Sequence, residues 1–261
     1  NFDLLIGFGS GKTIDKVKLL SMKLKKDYIV IPTSLSSDVM TSPTISLKFK
    51  RTTKSIFYKL PKMIIISEEI IKNAPQETMK AGICDCIAKF SSLKDWEIAN
   101  EMIHEKINKK AYRLALKCAK ISLKNIQKII DGNFKKLIEA FKYSGLAAYY
   151  AKSSRPISGS EHNFSHAIDL FSKYKSLHGF QVGLGTIISR RLQQENDYKD
   201  LIEIFKNYNI PTNYKEIKIP QKDLALALMK AKYVRKRFTV LNTIRITKSF
   251  ANKLLKELKI I

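Results

Sequence analysis

Between Phe2 and Ile31 the chain passes through an apolar run, a glycine-rich turn, an amphipathic segment and a second apolar run, an order that few folds accommodate. Phe2-Asp-Leu-Leu-Ile6 reads as a short strand ending in Gly7-Phe-Gly9-Ser-Gly11, and Lys12 to Lys26 has helical spacing with Ile14, Val17 and Leu20 on one face. Tyr28-Ile-Val-Ile31 then reads as a second strand running into Pro32 and a polar loop. Strand, glycine turn and helix is the arrangement that places a phosphate on backbone amides at a helix N-terminus. Further strands are expected near Ile45 to Phe49, Lys54 to Leu60 and Met63 to Ile66. From about Ser67 the pattern turns helical and stays so, with apolar spacings of three and four over Glu77 to Asn100, Ile107 to Ile130 and Phe134 to Ala151. Breaks fall near Asp131-Gly132, Gly145, Pro156, Gly159, Asn209-Ile-Pro-Thr212 and Ile219-Pro220. An α/β half over residues 1–66 followed by an all-helical half over residues 67–261 is the simplest architecture.

Three of the four histidines fall within seventeen residues, as His162-Asn-Phe-Ser-His166 and His178-Gly179. Positions four apart share a helix face, so His162 and His166 point into one cavity and His178 returns from the next element. Imidazole is the commonest ligand for zinc and iron, and a catalytic site needs three protein ligands plus an open position. The upstream candidate is Asp85, whose carboxylate sits inside the apolar run Ala81-Gly-Ile-Cys84-Asp85-Cys86-Ile-Ala88 and is costly there unless paired. The competing account has Asp85 capping a helix near Gly82 and the histidines as polar core or surface residues. Cys84 and Cys86 read as buried inert thiols, with a thiolate contribution to the metal as the alternative.

The three cysteines are odd in number and two are spaced too tightly for a clean disulfide pair, which argues against an oxidising compartment. No apolar run reaches the length of about 20 residues that a membrane span needs, and no secretory signal opens the chain, so a cytoplasmic protein is expected. The net charge of +25 would suit nucleic acid or anionic lipid. The lysines are spread along the chain on polar faces, however, so a solvated surface that steers anionic ligands is expected, with no specific nucleic-acid partner.

Ser153-Ser-Arg155-Pro-Ile-Ser-Gly159-Ser160-Glu161-His162-Asn-Phe-Ser-His166-Ala-Ile-Asp169 with Leu177-His178-Gly179 resembles the sn-glycerol-1-phosphate dehydrogenases, relatives of glycerol dehydrogenase, iron-dependent alcohol dehydrogenases and 3-dehydroquinate synthase. Gly9-Ser-Gly11-Lys12-Thr-Ile-Asp15, Ile31-Pro-Thr33-Ser-Leu-Ser36-Ser-Asp38, Ser42-Pro43, Ala81-Gly-Ile-Cys-Asp85 and Lys94-Asp-Trp96 match the same family, so the resemblance spans nearly the whole chain. It implies an α/β dinucleotide-binding domain, here incomplete at its N-terminus, followed by an all-α metal-binding domain. It implies reduction of dihydroxyacetone phosphate to sn-glycerol 1-phosphate with NADPH or NADH, the step that supplies the backbone of archaeal ether lipids. Asp85, His162 and His178 match the metal ligands, for zinc or alternatively iron or nickel. Asp38 and His166 match substrate-contacting positions and, with Asp85, make up the expected catalytic set. Gly9, Gly11, Lys12, Thr13, Ile14, Asp15, Thr33, Ser34, Leu35, Ser36 and Ser42 match cofactor-contacting positions. Self-association, as in relatives, is also expected.

Ser10 stands where glycine is more usual, Val39 likewise, and Phe180 replaces the acidic or amide residue common two positions after the second histidine ligand. Arg155 and Lys12 are the candidate cations for a substrate or cofactor phosphate. The alternatives are a polyol oxidoreductase like glycerol dehydrogenase, an enzyme like dehydroquinate synthase, and a non-enzymatic basic nucleic-acid-binding protein on a degenerate dehydrogenase scaffold. The Ser-Arg-Pro-Ile-Ser-Gly-Ser-Glu-His run argues against the first two.

Overall fold

The computed structural model describes residues 2–48 and 52–261. Strand β1 (Leu4–Gly9), helix α1 (Gly11–Leu24) and strand β2 (Asp27–Pro32) form the expected unit, and β2 pairs parallel with β1 and with the two-residue β5 (Met63–Ile64). Strand order is β1-β2-β5, so β1 is an edge on which Leu4, Ile6 and Phe8 point outward and stay exposed. β3 (Thr44–Lys48) and β4 (Thr53–Phe57) make a separate antiparallel hairpin, with Ile45 opposite Ile56. The expected strand to Phe49 ends, for its described part, at Lys48; Phe49 itself lies outside the described residues.

The buried face of α1 differs from the expected one. Ile14, Val17, Lys18 and Ser21 face inward, while Leu20 is 44% exposed. Lys18 displaces leucine from that face because its ammonium has work there: it donates to the Val39 carbonyl at 2.6 Å and the Thr44 carbonyl at 3.1 Å, tying α1 to the loop after β2 and to the hairpin. The helix stops at Lys25, whose left-handed φ of 54° closes its C-terminus.

The helical half opens at Ser67, which caps α2 (Glu68–Lys72) by accepting from the Ile70 amide. The segment read as one helix from Glu77 to Asn100 is two, α3 (Gln76–Ile87) and α4 (Lys89–Ile103), meeting at Ala88. Its apolar spacing carries across the junction, which is why the sequence hides the break. The next stretch divides likewise into α5 (Lys109–Lys124), capped by Asn108, and α6 (Ile126–Ile130). α5 lays Ala111, Ala115, Cys118 and Ala119 against α7 (Lys135–Ala151). After these come α8 (Ser160–Phe171), α9 (His178–Leu192), α10 (Tyr198–Asn207), α11 (Tyr214–Ile217), α12 (Gln221–Lys230), α13 (Val240–Thr243) and α14 (Lys248–Glu257). One apolar core runs from the sheet through most of these helices, and a smaller one gathers Leu93, Trp96 and Ile157 with alanines of α5 and α7. Among the described residues no helix is long and apolar enough to cross a membrane.

Two glycines set how closely α3 is approached. A Cβ on Gly82 would lie 2.0 Å from the Leu35 carbonyl oxygen, and one on Gly179 would lie 2.0 Å from that of Ala81. The loop after β2 and the start of α9 therefore rest directly on the backbone of α3, one turn from Asp85.

Burial pushes the Lys18 amine from its ordinary 10.5 down to about 8, against the pull of Asp15. Below pH 8 native and unfolded chains both carry the proton and the burial cost is fully present; between about 8 and 10.5 only the unfolded chain holds it, so stability rises. Relative to Lys18→Met, the protein should gain up to about 3 kcal/mol of unfolding free energy between pH 7.5 and 10. Denaturant titrations at the two pH values measure it, and a pH-independent difference would contradict it.

Candidate metal centre

Asp85 lies in the last turn of α3, 1% exposed, with Ile83, Cys84, Cys86 and Ile87 fully buried around it in the chain. A lone carboxylate is expensive there, and three other elements supply partners. Asp85 Oδ2 accepts from the Asp38 amide at 2.9 Å. Oδ1 lies 3.3 Å from both Lys89 Nζ and His162 Nε2. Lys89, wholly buried at the start of α4, also donates to the Asp85 carbonyl at 2.7 Å and pairs with Asp38 Oδ2 at 3.0 Å. Burial opposes ionisation of Asp85, but Lys89 and His162 override it and hold the carboxyl well below the usual range. Asp85 is thus the centre of an ionic cluster rather than the helix cap considered as the alternative.

His162 and His166 share the inner face of α8, and His178 starts α9. Ligand atoms of Asp85, His162 and His178 all lie within 4.8 Å of one another. The rings of His162 and His178 are 5.3 Å apart, and that of His166 is 6.4 and 6.1 Å from them. Two donors on a tetrahedral zinc lie about 3.4 Å apart, close to the 3.3 Å between His162 Nε2 and Asp85 Oδ1. One hard oxygen and two imidazoles are also a donor set that zinc, iron and nickel all accept, so these residues fit a divalent metal.

Outer partners fix the rings. His162 Nδ1 is 2.7 Å from Glu161 Oε1, and Glu161 is anchored by the Gly159 amide at 2.6 Å and the Ser91 hydroxyl at 2.6 Å. Desolvation pulls the His162 pKa down, but Asp85 and Glu161 outweigh it and raise it above its ordinary value. His178 Nδ1 lies 3.0 Å from Ser165 Oγ, which donates to Gln181 Oε1 at 2.7 Å; Gln181 in turn donates to Asp169 at 3.3 Å. Gln181 and Asp169 thereby support the His178 side of the site, whereas Phe180 turns into the apolar core. Asp95 accepts from the Ser160 amide at 2.5 Å, from the Val240 amide at 2.9 Å and from Gln193 at 3.0 Å, which ties the N-terminus of α8 to α9 and α13. Burial, reinforced by Glu161, pushes the Asp95 carboxyl up to about 6.

The glycine turn and the Thr33 to Asp38 loop come together: a Cβ on Gly11 would touch Val39 Cγ1 at 3.4 Å, and the Thr33 amide donates to the Gly9 carbonyl at 3.2 Å. Ser10 precedes α1 without a side-chain cap. Lys12 and Thr13 are exposed, Gly9, Gly11, Thr33, Ser34 and Ser36 are partly so, and Ser42 is buried against Thr44 at 2.8 Å. Ile14 and Leu35 are core side chains, so a dinucleotide here meets only their backbone. Asp15 turns toward Lys18, 3.9 Å away, and the Ser46 backbone. Asp38 joins this loop to the metal ligands, its Oδ2 also accepting a short hydrogen bond from Ser144 of α7.

The cysteines flanking Asp85 are fully buried, and desolvation raises both thiols far above their ordinary range, Cys86 further by its contact with Cys118. They behave as packing residues. His104 ends α4 in the left-handed region and is exposed. Arg155 is engaged structurally: 4% exposed, it donates to the Asp95 and Phe238 carbonyls at 2.8 and 2.9 Å and pairs with Glu105 at 2.9 Å. Lys89, Ser144, Glu161 and Asp95 carry no role in the sequence reading. A lysine four residues after Asp85 in an apolar run was the one available signal for the first.

The chain is 36% identical over 264 residues to a glycerol-1-phosphate dehydrogenase (NAD(P)+) of Korarchaeum cryptofilum, covering 97% of this chain and 84% of that protein. It is 37% identical over 257 residues to the one from Thermococcus sibiricus, covering 97% and 73%. The chain belongs to the glycerol-1-phosphate dehydrogenase family. The family pattern described as iron-containing alcohol dehydrogenase matches residues 1–75. A probable glycerol dehydrogenase from Sinorhizobium meliloti superposes with a TM-score of 0.80 at 17% identity, over 98% of this chain and 76% of that one. Glycerol dehydrogenase from Schizosaccharomyces pombe gives 0.77 at 20% identity, over 99% and 69%. These structures establish the fold expected from the sequence, an α/β part followed by a helical one.

Gly179→Ala should separate α9 from α3, costing about 1–3 kcal/mol of stability and weakening zinc binding, because His178 is the adjacent residue. Thermal melts and zinc titration check both; unchanged zinc affinity would uncouple the contact from the site. Glu161→Gln should weaken zinc binding about 10- to 100-fold with little change in fold, as read by competition with a chromogenic chelator.

Proposed function

We propose that the protein is a metal-dependent oxidoreductase that reduces dihydroxyacetone phosphate to sn-glycerol 1-phosphate with NADPH or NADH, feeding ether-lipid synthesis. The observation that carries the metal part is the convergence of Asp85, His162 and His178 from three helices onto one point. Those three hold the ion, with zinc preferred and iron or nickel as alternatives the donor set also accepts. A bound divalent ion supplies Lewis acidity at the ketone oxygen. Membership of a family whose relatives are named glycerol-1-phosphate dehydrogenase supports the substrate and the nicotinamide cofactor.

The remaining roles follow from placement. Residues 1–66 act as the cofactor-binding domain, with Gly9, Gly11, Lys12 and Thr13 presenting backbone and hydroxyl donors at the start of α1 and Thr33, Ser34, Ser36 and Ser42 contributing from the adjoining loops. Residues 67–261 supply the metal and most of the substrate contacts. His166, beside both histidine ligands on α8, holds the substrate hydroxyl or passes it a proton. Asp38, fixed by Lys89 and Ser144, orients the substrate between the cofactor loop and Asp85. The protein self-associates through its helical half, works in the cytoplasm and needs no nucleic-acid partner.

Zinc-loaded protein should oxidise NAD(P)H with dihydroxyacetone phosphate at a kcat/KM at least about 100-fold above that with dihydroxyacetone. A chelator should abolish the reaction and added zinc restore it. Equal turnover of the two ketones would redirect the reading to a polyol oxidoreductase, and indifference to the chelator would remove the metal from it.

A further inference from the structure

Arg235 and Arg237 lie between α12 and α13, outside every motif used above. Arg235 Nη1 donates to Ser158 Oγ at 2.7 Å, and its Nη2 donates to Ser154 Oγ at 2.8 Å and to Ser55 Oγ of the hairpin at 2.5 Å. Arg237 donates to the same Ser154 Oγ at 3.1 Å, to the Ser154 carbonyl at 3.3 Å and to the Ser158 carbonyl at short range. Among the described residues neither guanidinium has a carboxylate within 4.0 Å, and the third cation of the group, Arg155, has only Glu105. Arg155 Nη1 has no hydrogen-bond partner among the described residues.

Cations brought this close and held by neutral oxygens repel one another. Burial lowers the Arg235 pKa to about 10, with Arg155 adding to it against the longer-range pull of Glu161, and burial with Arg235 and Arg155 holds Arg237 well below its ordinary value against Glu105 and Glu161; Arg235 stays charged at neutral pH. Both arginines are half-buried, and folding alone gains little from such an arrangement, because a charge drawn partly out of water is normally paired. A dianion would supply the missing partner, and the guanidinium fork matches phosphate geometry. Position points the same way. Ser55 comes from the α/β half while the arginines and Ser158 come from the helical half, so the cluster bridges the two. His162 follows Ser158 by four positions, which bounds the distance between their Cα atoms at about 14 Å.

We propose that Arg235 and Arg237, with the hydroxyls of Ser154 and Ser158, form the subsite that binds the phosphate of a small phosphomonoester whose other end lies at the metal. This rests on the function proposed above and assigns its phosphate selectivity to residues outside the histidine motif. Arg155, the cation of the Ser-Arg-Pro run, instead braces the cluster through the Asp95 and Phe238 carbonyls.

The test compares Arg235→Met, Arg237→Met, Arg237→Lys and the double Met variant with the unaltered zinc-loaded protein. In the Met variants the ratio of kcat/KM for dihydroxyacetone phosphate to that for dihydroxyacetone should fall at least tenfold, mainly through KM, with Arg237→Lys recovering part of it. Inorganic phosphate should compete with dihydroxyacetone phosphate in the unaltered protein and lose that effect in the double variant. A ratio that holds while both ketones or the melting temperature suffer together overturns the proposal and leaves the arginines structural. A KM increase confined to NADPH, absent with NADH, also overturns it and assigns the cations to the cofactor's 2′-phosphate. If the unaltered protein reduces neither ketone, the function above fails and calorimetry with inorganic phosphate decides the subsite. Binding weakened at least tenfold in the double variant then upholds it, and no binding to the unaltered protein overturns it.

Discussion

The Asp85 carboxylate is the charge around which the described structure is arranged. Placed in an apolar helix, it is tolerable only because Lys89, the Asp38 amide and His162 reach it from α4, from the loop after β2 and from α8. Removing one partner of such a cluster leaves an uncompensated buried charge, which costs about 3–5 kcal/mol. The cluster therefore locks those three elements onto α3. The bare backbone at Gly82 and Gly179 is the steric half of the same constraint, since it lets the loop and α9 settle close enough for the polar groups to meet.

That arrangement couples the two halves of the molecule. Asp38 belongs to the loop packed on the glycine turn, yet its amide and carboxylate both report to the Asp85 cluster. A group bound at the glycine turn and one bound at the histidines would thus share a rigid wall. The carboxylates behind the histidines extend the network: Glu161 sets the His162 ring, while Asp95 saturates the first amide of α8 and reaches α9 and α13. Positive charge at a helix N-terminus favours both, and their mutual repulsion adds to burial in raising Asp95.

The parts legible in sequence were those with a period or a local spacing. The glycine turn between strands and the change to helical spacing near Ser67 carried the architecture, and three histidines within seventeen residues marked the candidate site, while the choice of Asp85, His162 and His178 as its ligands came from the family resemblance. The break at Ala88 was invisible because apolar spacing runs through it, and Leu20 was misplaced because a lysine with two carbonyl acceptors outcompeted it for the inward face. Long-range partners were illegible for a different reason. In a chain with 48 lysines and arginines, nothing local separates Lys89, Arg235 or Arg237 from cations that simply face water; only the tertiary fold reveals which have lost it.

That distinction bears on what the +25 charge does. Surface lysines attract anions over about one Debye length, roughly 8 Å at physiological ionic strength, and salt screens them. They can raise the encounter rate with a phosphorylated substrate or a dinucleotide, but they cannot tell one anion from another. Guanidiniums that are desolvated and oriented by Ser154 and Ser158 escape most of that screening and impose a geometry. Added salt should therefore slow association with phosphorylated and dinucleotide ligands while leaving the preference between phosphorylated and unphosphorylated ketones largely intact. Selectivity that collapsed in parallel with the association rate would place recognition on the diffuse surface field instead of the half-buried arginines.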